Sequence, residues 1–387
     1  MKAGAALVLT ADPGAAGRRA AEVARALLGD SPPAFGVLFA SAHFQVCAEA
    51  LLAAVTEQTG PVPLIGCVAE AVAGGSREVE SEPAVSLWLA AGVGPVETFG
   101  MQFVRTASGG AYGGYRFEPG RAGVCLMICD PFTFPADHLL THLNAHAAGT
   151  LVMGGMASGG MGPRRSRLFL DRRVLSQGAV GAYLPDAEIH PLVSQGCRPI
   201  GDPFTVTAAE GNLVQELGGH PAMTRLQDLA AALTGRDREL LTHGLQVGRV
   251  INEYGADWHQ GDFLIRGVLG ADPATGAIAV GDEVEVGQTL QFHVRDTDSA
   301  DKDLQRILEQ EAAALGGYRP AGALLFTCNG RGSRMFPEPD HDARLLAKIL
   351  GDIPMAGFFC GGELGPVGGQ NYLHTFTASI ALFPGAA

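Results

Sequence analysis

The sequence predicts an α/β protein of two lobes, built from repeated strand-helix-strand units whose mixed sheets are covered by helices. Three observations carry that expectation. One plan recurs three times, over Phe35–Ala90, Ala122–Leu184 and Ala323–Phe383: an apolar run, a polar break, a helical pattern, a second apolar run, a glycine-rich loop and a last apolar run. The apolar runs are short and bounded by turn chemistry, as buried strands are. Composition is globular, with 47% hydrophobic and 17% charged residues, and 387 residues suffice for more than one substantial core.

In chain order, Ala5–Thr10 reads as a strand and Ala15–Leu28 as a helix with Arg18, Arg19 and Arg25 towards solvent. In the first copy, Gly36–Phe39 is a strand, Ser41–Phe44 the break and Cys47–Thr59 a helix. Pro63–Gly66 is its second strand, Cys67–Glu70 opens its loop, and Ala84–Ala90 closes it. Pro95–Thr106 alternates as a strand does, and Ala107–Gly120, rich in Gly and Tyr, reads as a surface loop. The second copy has strand Val124–Ile128, break Cys129–Pro131, helix Ala136–Ala147, strand Leu151–Met153 and a loop of five glycines. Pro185–Gly196 reads as a linker, dividing the chain into domains of 1–190 and 191–387.

The second domain opens with a hairpin, Phe204–Ala208 and Asn212–Glu216, turning at Glu210-Gly211-Asn212. A helix over Pro221–Leu233 follows, then strands Val247–Ile251, Phe263–Leu269, Ala277–Val280 and Gln288–Arg295, and helix Asp301–Leu315. The third copy has strand Ala323–Thr327, turn Cys328-Asn329-Gly330, helix Asp340–Leu350, strand Met355–Phe359, a loop from Cys360 with five glycines between 361 and 369, and strand Thr377–Phe383.

Charge narrows the function. There are 27 basic and 40 acidic residues, a net of −13, which attracts neither nucleic acid nor an anionic membrane. No stretch has about 18 uninterrupted apolar residues, so no membrane span is expected. The first thirty residues lack a signal-peptide pattern. Seven cysteines, mostly in or beside apolar strands, suit reduced thiols better than a disulfide framework. The expected compartment is the cytoplasm.

The chemistry concentrates in the third copy. Glu363 follows a strand and precedes glycines; it either holds a ligand ammonium or hydroxyl, or fixes its own loop. Asn329 and Arg331 flank Gly330; Arg331 either clamps a ligand carboxylate or forms a salt bridge. Cys328 and Cys360 are either small hydrophobes or, with His374 as base, nucleophiles. His374 is a strand-edge residue, a ligand contact or an axial haem ligand. The first copy repeats the pattern at lower density: Cys67-x-x-Glu70 is aligned with Cys360-x-x-Glu363, and His43 occupies the break. His138, His142 and His146 form a helical stripe that is either a polar flank or half of a metal site. Arg164, Arg165 and Arg167 form a charged loop or an anion clamp. Phosphate-binding, nucleophile-elbow and c-type haem motifs are absent.

The motifs Gly201-Asp202-Pro203, Arg266–Asp272, Phe292–Asp296, Thr327–Gly332 and Gly361–Pro366 resemble those of the FIST C-terminal domain. Gly66–Glu70 with Gly74-Gly75 is similar to the FIST N-terminal domain. The resemblance implies a sensory module of prokaryotic signal transduction, with amino acids or related metabolites as ligands and, in some members, haem. The expectation is therefore a small-molecule sensor without catalytic residues, metal or obligate cofactor (haem being possible), whose ligand site includes Glu363, Asn329, Arg331, Cys328, Cys360, His374, Glu70, Cys67 and His43. The output domains usual for the family lie outside the matched region, so a separate signalling protein is the expected partner. A cysteine-dependent enzyme acting on a small acyl or amide substrate and a haem-binding gas sensor are the alternatives.

Overall fold

The computed structural model describes residues 1–106, 109–255 and 258–385. It has two compact units. The first contains Met1–Val193, Leu304–Leu373 and the chain from Thr377 onward; the second contains Ser194–Asp303 and His374–Phe376. This partition differs from a division along the sequence into 1–190 and 191–387, because the third copy shares its unit with the first two.

The first unit begins with β1 (Lys2–Leu9) and α1 (Pro13–Leu28), which starts one residue after Asp12, whose carboxylate accepts the Ala15 N–H. The first copy follows as β2 (Phe35–Ser41), α2 (Ala48–Thr59), β3 (Leu64–Ala69), β4 (Val72–Gly74), β5 (Arg77–Val79) and β6 (Ala84–Ala91). Then come β7 (Glu97–Thr106) and β8 (Gly109–Gly113). The second copy is β9 (Gly123–Cys129), α3 (Ala136–His146), β10 (Thr150–Met156), β11 (Leu168–Leu170), β12 (Arg173–Leu175) and β13 (Ala179–Leu184). It is followed by β14 (His190–Gln195). Two expectations are corrected here. The surface loop after Thr106 contains β8, which pairs with β7, while Ala107 and Ser108 lie outside the described residues. The linker contains β14, which lies beside the chain's last strand; Pro191, its second residue, is tolerated because the strand is at a sheet edge.

The second unit holds β15 (Cys197–Glu210), β16 (Leu213–Leu217), β17 (His220–Pro221), α4 (Ala222–Ala232), α5 (Gly235–Gly244), β18 (Leu245–Val250), β19 (Phe263–Asp272), β20 (Ala277–Val280) and β21 (Thr289–Arg295). Its strands run β15-β21-β18-β19-β20-β16 and close through β15 and β16, every pairing antiparallel. Closure removes the free edges that an open sheet would expose. Phe292, Val294, Val247 and Ile200 are among the residues packed in its core. α5 has no counterpart among the elements the sequence predicts. α6 (Thr297–Ala314) starts four residues earlier than expected because the Asp296 carboxylate accepts the Asp298 N–H and the Ser299 hydroxyl at its N-terminus.

The chain returns to the first unit at Leu304, within α6, and the third copy follows: β22 (Gly322–Cys328), α7 (His341–Leu350), β23 (Met355–Cys360), β24 (Glu363–Val367), β25 (Gln370–His374) and β26 (Thr377–Phe383). In each copy the first two long strands are parallel and the last runs antiparallel to the first. The glycine-rich stretches expected as loops are short β-hairpins. Their partners explain why they were hidden. Hairpin β4–β5 of the first copy extends the third copy's sheet, β11–β12 of the second extends the first's, and β24–β25 of the third extends the second's. The backbone groups of each hairpin are thus satisfied by a strand distant in sequence. The three sheets share one core. Phe39 of the first copy packs against Phe326 and Phe358 of the third at ring distances of 6.3 and 4.8 Å.

Candidate functional site

The exchange of hairpins brings parts of all three copies to the end of the third copy's parallel strand pair. Cys328 and Cys360 are directly paired there, as the last residues of β22 and β23. The chain after β22 must turn at once, and the Arg331 N–H closes that turn on the Cys328 carbonyl at 2.8 Å. Gly332 then adopts φ +57°, where a Cβ would meet Glu80 Oε1 at 2.7 Å, so the Glu80 carboxylate of the first copy can receive the Ser333 N–H at 2.8 Å and hydroxyl at 2.6 Å.

Arg331 is fully buried. Its Nε and Nη2 donate to the two oxygens of buried Asp342, at 2.8 and 2.7 Å, a bidentate pair. Thr327 Oγ1 donates to Asp342 at 2.6 Å, and the His341 ring lies 2.8 Å from it. Although burial raises the Asp342 pKa, the Arg331 charge and hydrogen bonds overcome it and hold the carboxyl well below the ordinary range. The third guanidinium nitrogen, Nη1, meets no hydrogen-bond partner among the described residues. Glu78 reaches the same neighbourhood from β5 and accepts the Ala343 N–H at 3.0 Å, near the start of α7. Burial, reinforced by the Asp342 charge, pushes the Glu78 pKa up to about 8, and its Oε2 has no partner among the described residues.

Glu363 opens β24, with its backbone paired to Gly155 of the second copy. It has no exposed surface. Its Oε2 accepts the Thr377 N–H at 3.2 Å and hydroxyl at 2.8 Å. Burial raises its pKa to about 8, against the opposing hydrogen bonds from Thr377 and the Cys328 thiol and the nearby Arg331 charge. Its Oε1 is unpartnered among the described residues, as is Asn329 Oδ1. Burial pushes the Cys360 and Cys67 thiols well above their ordinary range, so both are neutral thiols.

The candidate residues therefore divide. Cys328, Asn329, Arg331, Cys360 and Glu363 are brought together. Glu70 joins them from the first copy by an ion pair to Arg334, whose other end donates to the Asn329 carbonyl at 3.0 Å. Cys67 and Cys360 are buried in the same shared core. His43 is exposed in the first copy's break, 3.2 Å from Ser41 Oγ. His374 is buried and belongs to the second compact unit. The alignment of Cys67 with Cys360 is corrected by strand register: Ser41 pairs with Ala69 at the first copy's strand ends, where Cys328 pairs with Cys360 in the third. Glu70 is the first residue beyond β3, so it is not the counterpart of Glu363; its weight comes from reaching into another copy. Sequence reasoning missed Asp342, Glu78 and Thr377. Asp342, an acid in the first turn of a helix eleven residues after Arg331, was within reach of a spacing argument; Glu78 had no local signal. Among the described residues no three His, Cys, Asp or Glu side chains are grouped to hold a metal ion. No described helix is long and apolar enough to cross a membrane.

Family models match along the chain: the FIST N domain over residues 34–220 and the FIST C domain over 222–366. An uncharacterized protein of Mycobacterium tuberculosis is 50% identical over 383 residues, covering 99% of this chain and all of the relative. An uncharacterized protein of Mycobacterium bovis is 49% identical over 384 residues, covering 99% of each chain.

Proposed function

The chain belongs to the FIST family, and from that premise we propose that it is a sensory protein. It binds a small zwitterionic metabolite, an amino acid or a close relative, at the Arg331–Glu363 site. It relays the bound state to a separate signalling protein. The observation that carries this reading is the set of unmet buried polar atoms in one neighbourhood: Arg331 Nη1, Asn329 Oδ1, Glu363 Oε1 and Glu78 Oε2. A buried polar atom left unpaired costs roughly 1–3 kcal/mol, so such groups call for a partner. The set is mixed in kind. Arg331 offers a donor to a carboxylate; the carbonyl and carboxyl oxygens offer acceptors to an ammonium. Half-buried Asn329 and Gly330 and exposed Gly361 form the solvent-side border of the site.

A cationic amine beside Glu363 would favour its ionised form and release its proton, so the ligand's arrival changes the charge of the strand end. That change is the signal a partner would read. The cysteine-enzyme alternative has less support, because the Cys360 thiol is buried and neutral. The test is a thermal-shift screen of the purified chain against amino acids, organic acids, nucleotides and haemin. A saturable shift with amino acids, lost in Glu363→Gln, supports the reading. No shift with any class sinks it, and Glu363 is then a residue that ties β24 to Thr377; a Soret band with haemin alone would favour the gas-sensor alternative.

A further inference from the structure

The second copy carries a cleft that the site above does not use. It measures about 760 Å³ and is bordered by Arg105 on β7, Arg164 on the loop after β10 and His138 on α3, with Phe103, Phe132 and Phe134 among its walls. In a chain with 40 acidic residues, no Asp or Glu lines it. Arg105 and Arg164 are both exposed. Arg164 is held at φ +62°, a conformation unusual for a residue with a side chain. The first turn of α3 borders the same cleft through His138, with Pro135 just before it, and carries one acid, Asp137, which does not line the cleft. The apolar part is exposed as well: Phe132 is 44% and Val104 56% exposed.

We propose that this cleft is a second ligand site, for a planar aromatic anion. Its ring lies against Phe103 and Phe132, and its acidic group is held by Arg105 and Arg164. An aromatic face gives an aromatic ring a contact that water cannot match, and two guanidiniums select the anion. The site's character is opposite to that of the buried third-copy site: it is open, basic and aromatic.

Isothermal titration of the full chain with adenosine monophosphate and with benzoate tests this, with adenosine and inorganic phosphate as half-probes. We expect saturable binding of at least one whole probe, with each half-probe weaker. The double variant Arg105→Ala/Arg164→Ala should weaken it about tenfold or more, as loss of charge-assisted hydrogen bonds does. Both side chains are exposed, so an unchanged melting curve shows that the fold survives. Glu363→Gln should leave this binding intact, which separates the cleft from the proposed sensory site. Equal binding by the double variant, loss of binding in Glu363→Gln, or no saturation by either whole probe below the millimolar range would overturn the proposal.

Discussion

Arg331 and Asp342 set the energetics of the third-copy site because both are removed from water. Breaking one side of such a pair leaves an uncompensated buried charge, which costs about 3–5 kcal/mol. Asp342→Asn should therefore lower the unfolding free energy by that order in urea titration, whereas Arg19→Ala, which removes an exposed pair at 3.6 Å, should change it by less than about 1 kcal/mol. Equal effects would show that the buried pair is solvated. Glu363 gives a pH prediction. Its folded pKa is raised from 4.5 to about 8, so the folded chain holds the proton more tightly than the unfolded one. Its contribution is complete below pH 4.5 and is eroded as pH rises through about 8. One such proton corresponds to a slope of about 1.4 kcal/mol per pH unit within that window. In Glu363→Gln the fall in stability between pH 5 and pH 8 should shrink accordingly; an unchanged slope would mean that the carboxyl ionises normally. Much of this site was legible: Cys328, Asn329, Arg331, Cys360 and Glu363 all stand at strand ends that periodicity locates. Asp342 and Glu78 were not, because ion pairing is decided by distance in space.

Each copy's sheet is completed by another copy's hairpin, and its parallel strands are fitted by glycines. Gly66, Gly154 and Gly357 each lie in the second strand of a copy, where a Cβ would stand 1.8, 1.8 and 2.3 Å from the carbonyl oxygens of Leu38, Met127 and Leu325. Backbone cannot yield as a flexible side chain does, so Gly66→Ala should destabilise by about 1–3 kcal/mol, while Gly60→Ala at the C-cap of α2, where a Cβ meets nothing, should act only through its positive φ. Comparable melting temperatures for the two variants would argue against the close approach. At this scale the sequence showed three copies and misread their loops. Glycine punctuates a chain, but a glycine-rich segment becomes a strand when a distant edge supplies its hydrogen bonds.

The two compact units make different demands on the chain. The second is nearly continuous, Ser194–Asp303, and closes its own barrel. An excised 194–303 fragment should show β-rich circular dichroism and a cooperative melt; a fragment without a transition would mean that the barrel depends on the rest of the protein. The first unit is discontinuous and cannot be excised as one segment. Read alone, the sequence determined the α/β class, the threefold repetition, the strand ends that carry the polar residues and the FIST resemblance, since all of these are written in local periodicity and contiguous motifs. Tertiary structure decided which sheet each hairpin joins, that Glu70 and Glu78 of the first copy reach the third, and that burial raises the Glu363 pKa. Those outcomes follow from hydrogen bonding between distant strands and from desolvation, and both depend on atoms that the chain brings together only by folding.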